Sequence, residues 1–189
     1  MQINYFSDSE FERTGYPAKP SHVEKFLLNF MRQFILNPIR AEINSPVVIT
    51  GCYRTEADFL RLASAGRNPS QTSDHFWNQS IPSFRPIDVD RFGKHFTYSV
   101  GAVDFVTPKM DIEKAFDAIC ELVRSGKIVV GQAIIEKNSS GNKWIHVSNP
   151  KKLLYSTELR EYLGFEDNRL MRSDDNGLTF SHIPSTCLG

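Results

Sequence analysis

The sequence predicts an α+β fold in one domain, and three observations carry that prediction. Two segments place apolar residues at helical spacing behind a capping residue, at Ser21 and at Asp111. Runs rich in β-branched residues over 47–50, 127–136 and 143–148 read as strands. A chain of 189 residues with 40% apolar and 12% aromatic content is long enough and apolar enough to bury one sizeable core.

Taken in order, Ser21-His22-Val23-Glu24 is a capping box, in which the hydroxyl accepts from the third helical N–H while Glu24 reaches back to the Ser21 N–H. Val23, Phe26, Leu27, Phe30, Met31, Phe34 and Ile35 follow and predict one buried stripe, and Pro38 is expected to end or kink the helix. After Ser45-Pro46, Val47-Val48-Ile49-Thr50 predicts a strand that exits through Gly51 to Thr55 into a helix over 56–65, with Thr55 as its cap. A polar loop over 66–73 delivers His75, and residues 100–106 read as a further strand.

Asp111 then caps a helix that buries Ile112, Ala115, Phe116, Ile119, Leu122 and Val123 and closes at Gly126. Segments 127–136 and 143–148 pair by composition as a hairpin around Asn138-Ser139-Ser140-Gly141-Asn142. Residues 151–189 read as a peripheral C-terminal extension, with Asp174-Asp175-Asn176-Gly177 turning Leu170-Met171-Arg172 into Leu178-Thr179-Phe180. No internal repeat or second domain interrupts residues 1–189.

With 22 basic and 22 acidic residues the formal net charge is zero, which argues against nucleic acid as the main partner because phosphate binding needs a basic field. No apolar run approaches the length of a membrane span, so membrane insertion is not expected. Met1 to Phe11 is too polar for a signal peptide, and synthesis in the cytoplasm is the expectation. Cys52, Cys120 and Cys187 stand at unrelated spacings without a C-x-x-C pair and read as free thiols.

The chemistry concentrates in three fragments: Ser73-Asp74-His75, Ala102-Val103-Asp104 and Trp144-Ile145-His146-Val147. Two imidazoles and a carboxylate are the ligand set of an open zinc site, which keeps its fourth position for water or substrate. The remaining histidines, His22, His95 and His182, lack such context and read as ordinary surface or core residues.

In the order Ser73-x-His75, Ala102-x-Asp104, Trp144-x-His146, these fragments resemble the zinc D-alanyl-D-alanine carboxypeptidases and related peptidoglycan endopeptidases, whose pattern reads S-x-H-x-x-G-x-A-x-D and later W-x-H. Ile49-Thr50-Gly51-Cys52-Tyr53-Arg54-Thr55 is similar to that family's strand ending in S-G-Y-R-S, so the resemblance covers roughly residues 5 to 150. Here Asp104 follows His75 by 29 positions and Asn78 stands where the family has glycine, so residues 79–99 read as an insertion within the metal motif. Its Asp88 and Asp90 are rival carboxylates; Asp104 is preferred because Ala-Val-Asp-Phe matches the motif. Phe84, Phe92, Phe96 and Tyr98 make the insertion a candidate wall or cover for the cleft.

The resemblance implies a hedgehog/DD-peptidase-type fold, a small antiparallel sheet flanked by helices, holding one catalytic Zn²⁺ on His75, Asp104 and His146. It implies substrate binding or charge stabilisation by Arg54, and substrate contacts from Ser73 and from Trp144 beside the metal. Branches of the family carry the proton-transferring Glu three residues before the last His; that position is Lys143 here, which leaves Glu136 as the candidate, provided the strand register puts it on the His146 face. The competing readings are a local cap or surface charge for Arg54 and Ser73, core packing for Trp144 and a solvated strand end for Glu136.

The implied function is hydrolysis of a peptidoglycan peptide bond, as carboxypeptidase or stem-peptide endopeptidase. Without an export signal, such an enzyme would reach the wall as a phage endolysin or as a lysin carried in a virion, with virion proteins then among its partners. The alternative is a non-catalytic virion structural or wall-binding protein that keeps the fold, a reading sustained by the interrupted motif and the missing E-x-x-H.

Overall fold

The computed structural model describes residues 4–65, 73–77, 99–175 and 177–184. Gly66 to Thr72, nearly all of the 79–99 segment with Asp88, Asp90 and His95, and Cys187 lie outside the described residues. Among the described residues the fold is α+β, with six strands in one mixed sheet of order β1-β2-β4-β3-β5-β6. The strands are β1 (Val48–Gly51), β2 (Ala102–Val106), β3 (Gln132–Lys137), β4 (Lys143–Ser148), β5 (Arg169–Ser173) and β6 (Ser181–Ile183).

A short helix, α1 (Asp8–Glu12), opens the fold, and α2 (His22–Phe30) starts at the expected box, with Ser21 Oγ accepting from the Glu24 N–H at 3.2 Å and the Glu24 carboxylate accepting from the Ser21 N–H at 2.7 Å. Pro38 does not end this helix. The chain runs through a wide π turn, Met31–Leu36, into α3 (Asn37–Ile43), with Pro38 in the first turn of α3. Proline withholds the N–H that an α-helix would send back four residues, and the widened turn absorbs the loss, the Asn37 N–H reaching the Arg32 carbonyl instead.

The buried stripe also differs from the expected one. Leu27, Met31, Ile35 and Ile39 face the core, whereas Val23, Phe26 and Phe34 are 38%, 50% and 52% exposed. Two apolar rows competed for a helix that buries one face, and the exposed Phe34 ring packs on the partly buried Phe30, centroids 4.9 Å apart. Helix α4 (Glu56–Ser64) starts at Thr55, whose hydroxyl accepts from the Asp58 N–H, and buries no residue. Helix α5 (Ile112–Arg124) is capped by Asp111 and buries Phe116, Ile119, Leu122 and Val123, each contributing about 1.5–3 kcal/mol of apolar transfer free energy.

Strand alternation gives the sheet two unlike faces. Val103 and Phe105 of β2, Ala133 and Ile135 of β3, Ile145 and Val147 of β4 and Leu170 of β5 align on one face and belong to the core that α3 and α5 complete. The other face carries Asp104, paired with His146, which is in turn opposite Ile134, and Glu136, paired with Trp144.

The expectation of an antiparallel sheet is corrected at β5, which runs parallel to β3. Parallel neighbours need a crossover, and residues 149–168, with the 3₁₀ turn Lys151–Leu153 and helix α6 (Thr157–Leu163), carry the chain from β4 to the far side of β3. The expected hairpin in this region exists, but its second strand is Ser181–Ile183 and not 178–180, where Asp175 holds the turn by accepting from the Leu178 and Thr179 N–H groups. Among the described residues no helix is long and apolar enough to cross a membrane.

Candidate metal centre

Three elements meet at the site. β2 presents Asp104, its antiparallel neighbour β4 presents His146 directly opposite, and the 3₁₀ turn Asp74–Phe76, packed against β2, presents His75. His75 Nε2 lies 3.2 Å and His146 Nδ1 2.9 Å from the same Asp104 oxygen, Oδ1, and one ligand atom from each residue falls within 4.8 Å of the others. Tetrahedral zinc with bonds of about 2.0–2.1 Å places its ligand atoms roughly 3.4 Å apart, so this spacing fits a single ion after small adjustments. Among the described residues this is the one group of three such side chains.

The donor chemistry fits as well. His75 Nδ1 donates to the Cys52 carbonyl at 2.8 Å, and because a carbonyl only accepts, Nδ1 keeps its hydrogen and Nε2 is the nitrogen turned to the site, where it offers a lone pair to a cation once it carries no proton. The same carbonyl accepts from the Trp77 indole at 2.7 Å, and Trp77, fully buried with φ +48°, caps the turn that carries His75. Gly101 must be glycine here: its φ is +89°, and a Cβ would stand 2.5 Å from the Trp77 ring. Gly51 has a related role, since a Cβ there would lie 3.0 Å from Asp104 Oδ2.

The buried ion pair between Asp74 and Lys151 ties this turn to the chain beyond β4, and the Ser99 hydroxyl donates to the Asp74 carbonyl at 2.7 Å. His75 and His146 are each 5% exposed, while the Asp104 side chain is 23% exposed, so the site opens on the carboxylate side. A cleft of about 440 Å³ reaches it there, lined among others by Thr14, Thr50, Arg54, Arg61, His75 and Asp104.

Burial alone would raise the Asp104 pKa, but the charges and hydrogen bonds of His75 and His146 hold it far below the usual carboxylate range. Burial likewise opposes charge on His146, and the hydrogen bond and charge of Asp104 override it and raise its pKa. Among the described residues, the site is thus a partly exposed carboxylate held anionic by two imidazoles, and a cation that displaces the protons from their inward nitrogens would meet that negative charge.

The β3–β4 register puts Glu136 on the His146 face, the condition left open by the sequence. Burial, followed by the charge of Asp104, raises its pKa against the pull of His146, His75 and a hydrogen bond from Trp144. Lys143 lies on the opposite face, paired with Glu113 of α5, which Arg172 also engages with both nitrogens. Arg54 Nη1 donates to the Ser73 hydroxyl at 3.2 Å, and burial lowers its pKa although Asp104, Asp58 and Glu136 draw it upward. Ser73 also accepts from the His75 N–H at 3.4 Å, so its hydroxyl serves as the local cap of the turn as well as a partner of Arg54.

Two neighbours escaped the sequence reading. Gln132, two positions along β3 from Ile134, reaches His146 with its amide, 3.1 Å from Nε2. Gly177, in the β5–β6 turn, leaves room for Glu136: a Cβ there would lie 3.2 Å from its Oε2. Gln132 shares the parity of Glu136 on β3, so the same open register hid it, and nothing local pointed to Gly177. No family model matches the chain, and neither a curated protein nor a solved structure matches it significantly.

Proposed function

We propose that the chain is a zinc-dependent peptidase of the hedgehog/DD-peptidase type that hydrolyses a peptide bond of peptidoglycan, as a D-Ala-D-Ala carboxypeptidase or a stem-peptide endopeptidase. The observation that carries the reading is the meeting of His75, Asp104 and His146 at the end of a cleft, with Glu136 on the same sheet face and Arg54 in the cleft wall. When bound, zinc supplies a Lewis acid that polarises a carbonyl and makes water acidic near neutral pH.

The side chains divide the remaining work. Glu136, whose affinity for protons burial increases, takes the proton from water and returns it to the leaving amine. Arg54, steadied by Ser73, offers its fork to a substrate carboxylate or to charge developing on the carbonyl oxygen. Trp144 holds Glu136 in place and flanks the cleavage point. A wall peptide is the substrate class because the S-x-H, A-x-D and W-x-H fragments and the G-x-Y-R strand resemble enzymes with that substrate. The wall is then reached by release as an endolysin or by delivery in a phage particle.

Metal analysis of the purified protein is expected to give about one zinc per chain, and purified peptidoglycan is expected to release new amino groups on incubation with it. Alanine at His75, Asp104 or His146 should abolish both. Absence of zinc from the wild-type protein would overturn the metal centre, and a zinc-loaded protein that leaves peptidoglycan intact would point to a wall-binding role without catalysis.

A further inference from the structure

The two histidines present opposite ring nitrogens to the centre. His75 turns Nε2 inward and secures Nδ1 on the Cys52 carbonyl, whereas His146 turns Nδ1 toward Asp104 Oδ1 and leaves Nε2 outside. Among the described residues, the group placed on that outer nitrogen is the Gln132 amide, 3.1 Å away, on a strand position whose N–H is itself held by the buried Ser148 hydroxyl at 3.1 Å.

We infer that Gln132 is a positioning residue of the metal centre. With Nδ1 of His146 committed to a divalent cation, Nε2 carries the ring hydrogen and needs an acceptor. An amide offers its oxygen in place of its nitrogen by rotating 180° about its terminal bond, so the carbonyl of Gln132 accepts that hydrogen and fixes the ring plane. The two imidazoles are then oriented alike, each by a neutral carbonyl, one from the backbone of Cys52 and one from a side chain. This inference rests on the metal-site reading above.

The test measures zinc affinity by competition with a chromophoric chelator, using wild-type protein, Gln132→Met, Gln132→Glu and, as the protein without a site, His75→Ala. Loss of an outer-shell partner weakens metal binding about 10- to 100-fold, which is the expectation for Gln132→Met. Gln132→Glu, whose carboxylate only accepts, should bind zinc at least as tightly as wild type.

Nitrogen-15 NMR of the zinc-loaded wild-type protein should place the His146 ring hydrogen on Nε2. Wild-type affinity in Gln132→Met, or a His146 hydrogen on Nδ1 in the zinc form, overturns the role of Gln132 while leaving the metal centre standing. Failure of the wild-type protein itself to bind zinc removes the centre and this role together.

Discussion

At the scale of single residues, Glu136 carries the most testable chemistry. It sits among Trp144, Gly177 and the charges of Asp104, His75 and His146, and burial leads the causes that raise its pKa above the ordinary 4.5. An acid with a raised folded pKa binds more protons folded than unfolded between the two values. Its contribution to stability is therefore fully present below about 4.5 and is lost as pH rises through the folded value. Glu136→Gln removes that dependence. In chelator-treated protein, melting temperatures should show the variant gaining on wild type between pH 4 and neutral pH, and a gap that stays constant across this range would contradict the burial argument. With zinc restored, the same variant should keep the metal and lose hydrolysis by orders of magnitude, because an amide preserves shape but takes no proton.

At the scale of elements, the described residues that flank the chain between His75 and Asp104 are themselves bonded into the site. That chain departs after Trp77, itself bonded to the Cys52 carbonyl, and returns at Ser99, whose hydroxyl donates to the Asp74 carbonyl. If the chain is the proposed zinc peptidase, replacing residues 79–98 by a short flexible turn should preserve zinc stoichiometry and the melting temperature of the zinc form while changing which peptides are cut. Loss of zinc in that protein would make the segment part of the centre's scaffold.

The same elements show what the sequence could and could not disclose. Caps at Ser21, Thr55 and Asp111 were legible because capping is chemistry within three residues, and the hairpin around 138–142 was legible from local turn composition. The π turn before Pro38 was not, since the sequence shows a missing donor but not whether the helix will widen or stop. Which of two apolar rows on that helix is buried was equally hidden, because the sheet and α5 decide it from far along the chain.

At the scale of the molecule, the decisive feature is where residues 151–189 go. Read from sequence, 151–189 is a peripheral C-terminal extension with a hairpin around Asp174-Asp175-Asn176-Gly177. In the structure β5 lies parallel to β3 and buries Leu170 and Met171, and β6 pairs on its outer side. Crossover strands leave little trace in local sequence, because the pairing partner is set by the path of the chain and not by a turn. The consequence reaches the site. β3 carries both Glu136 and Gln132 and is bonded to β4 on one side and β5 on the other, Lys151 pairs with Asp74 beneath His75, and Gly177 closes over Glu136. Ending the chain at Pro150 would strip β3 of its neighbour, expose an apolar edge open to pairing with other chains, and leave the buried Asp74 carboxylate without its cation. Breaking a buried ion pair from one side alone costs about 3–5 kcal/mol, a large part of the stability of a domain this size. A protein ending at residue 150 should therefore be found in the insoluble fraction, or as aggregates by light scattering, without zinc. One that stays monomeric and binds a full equivalent of the metal would show that the resemblance's span, roughly residues 5 to 150, is itself the folding unit.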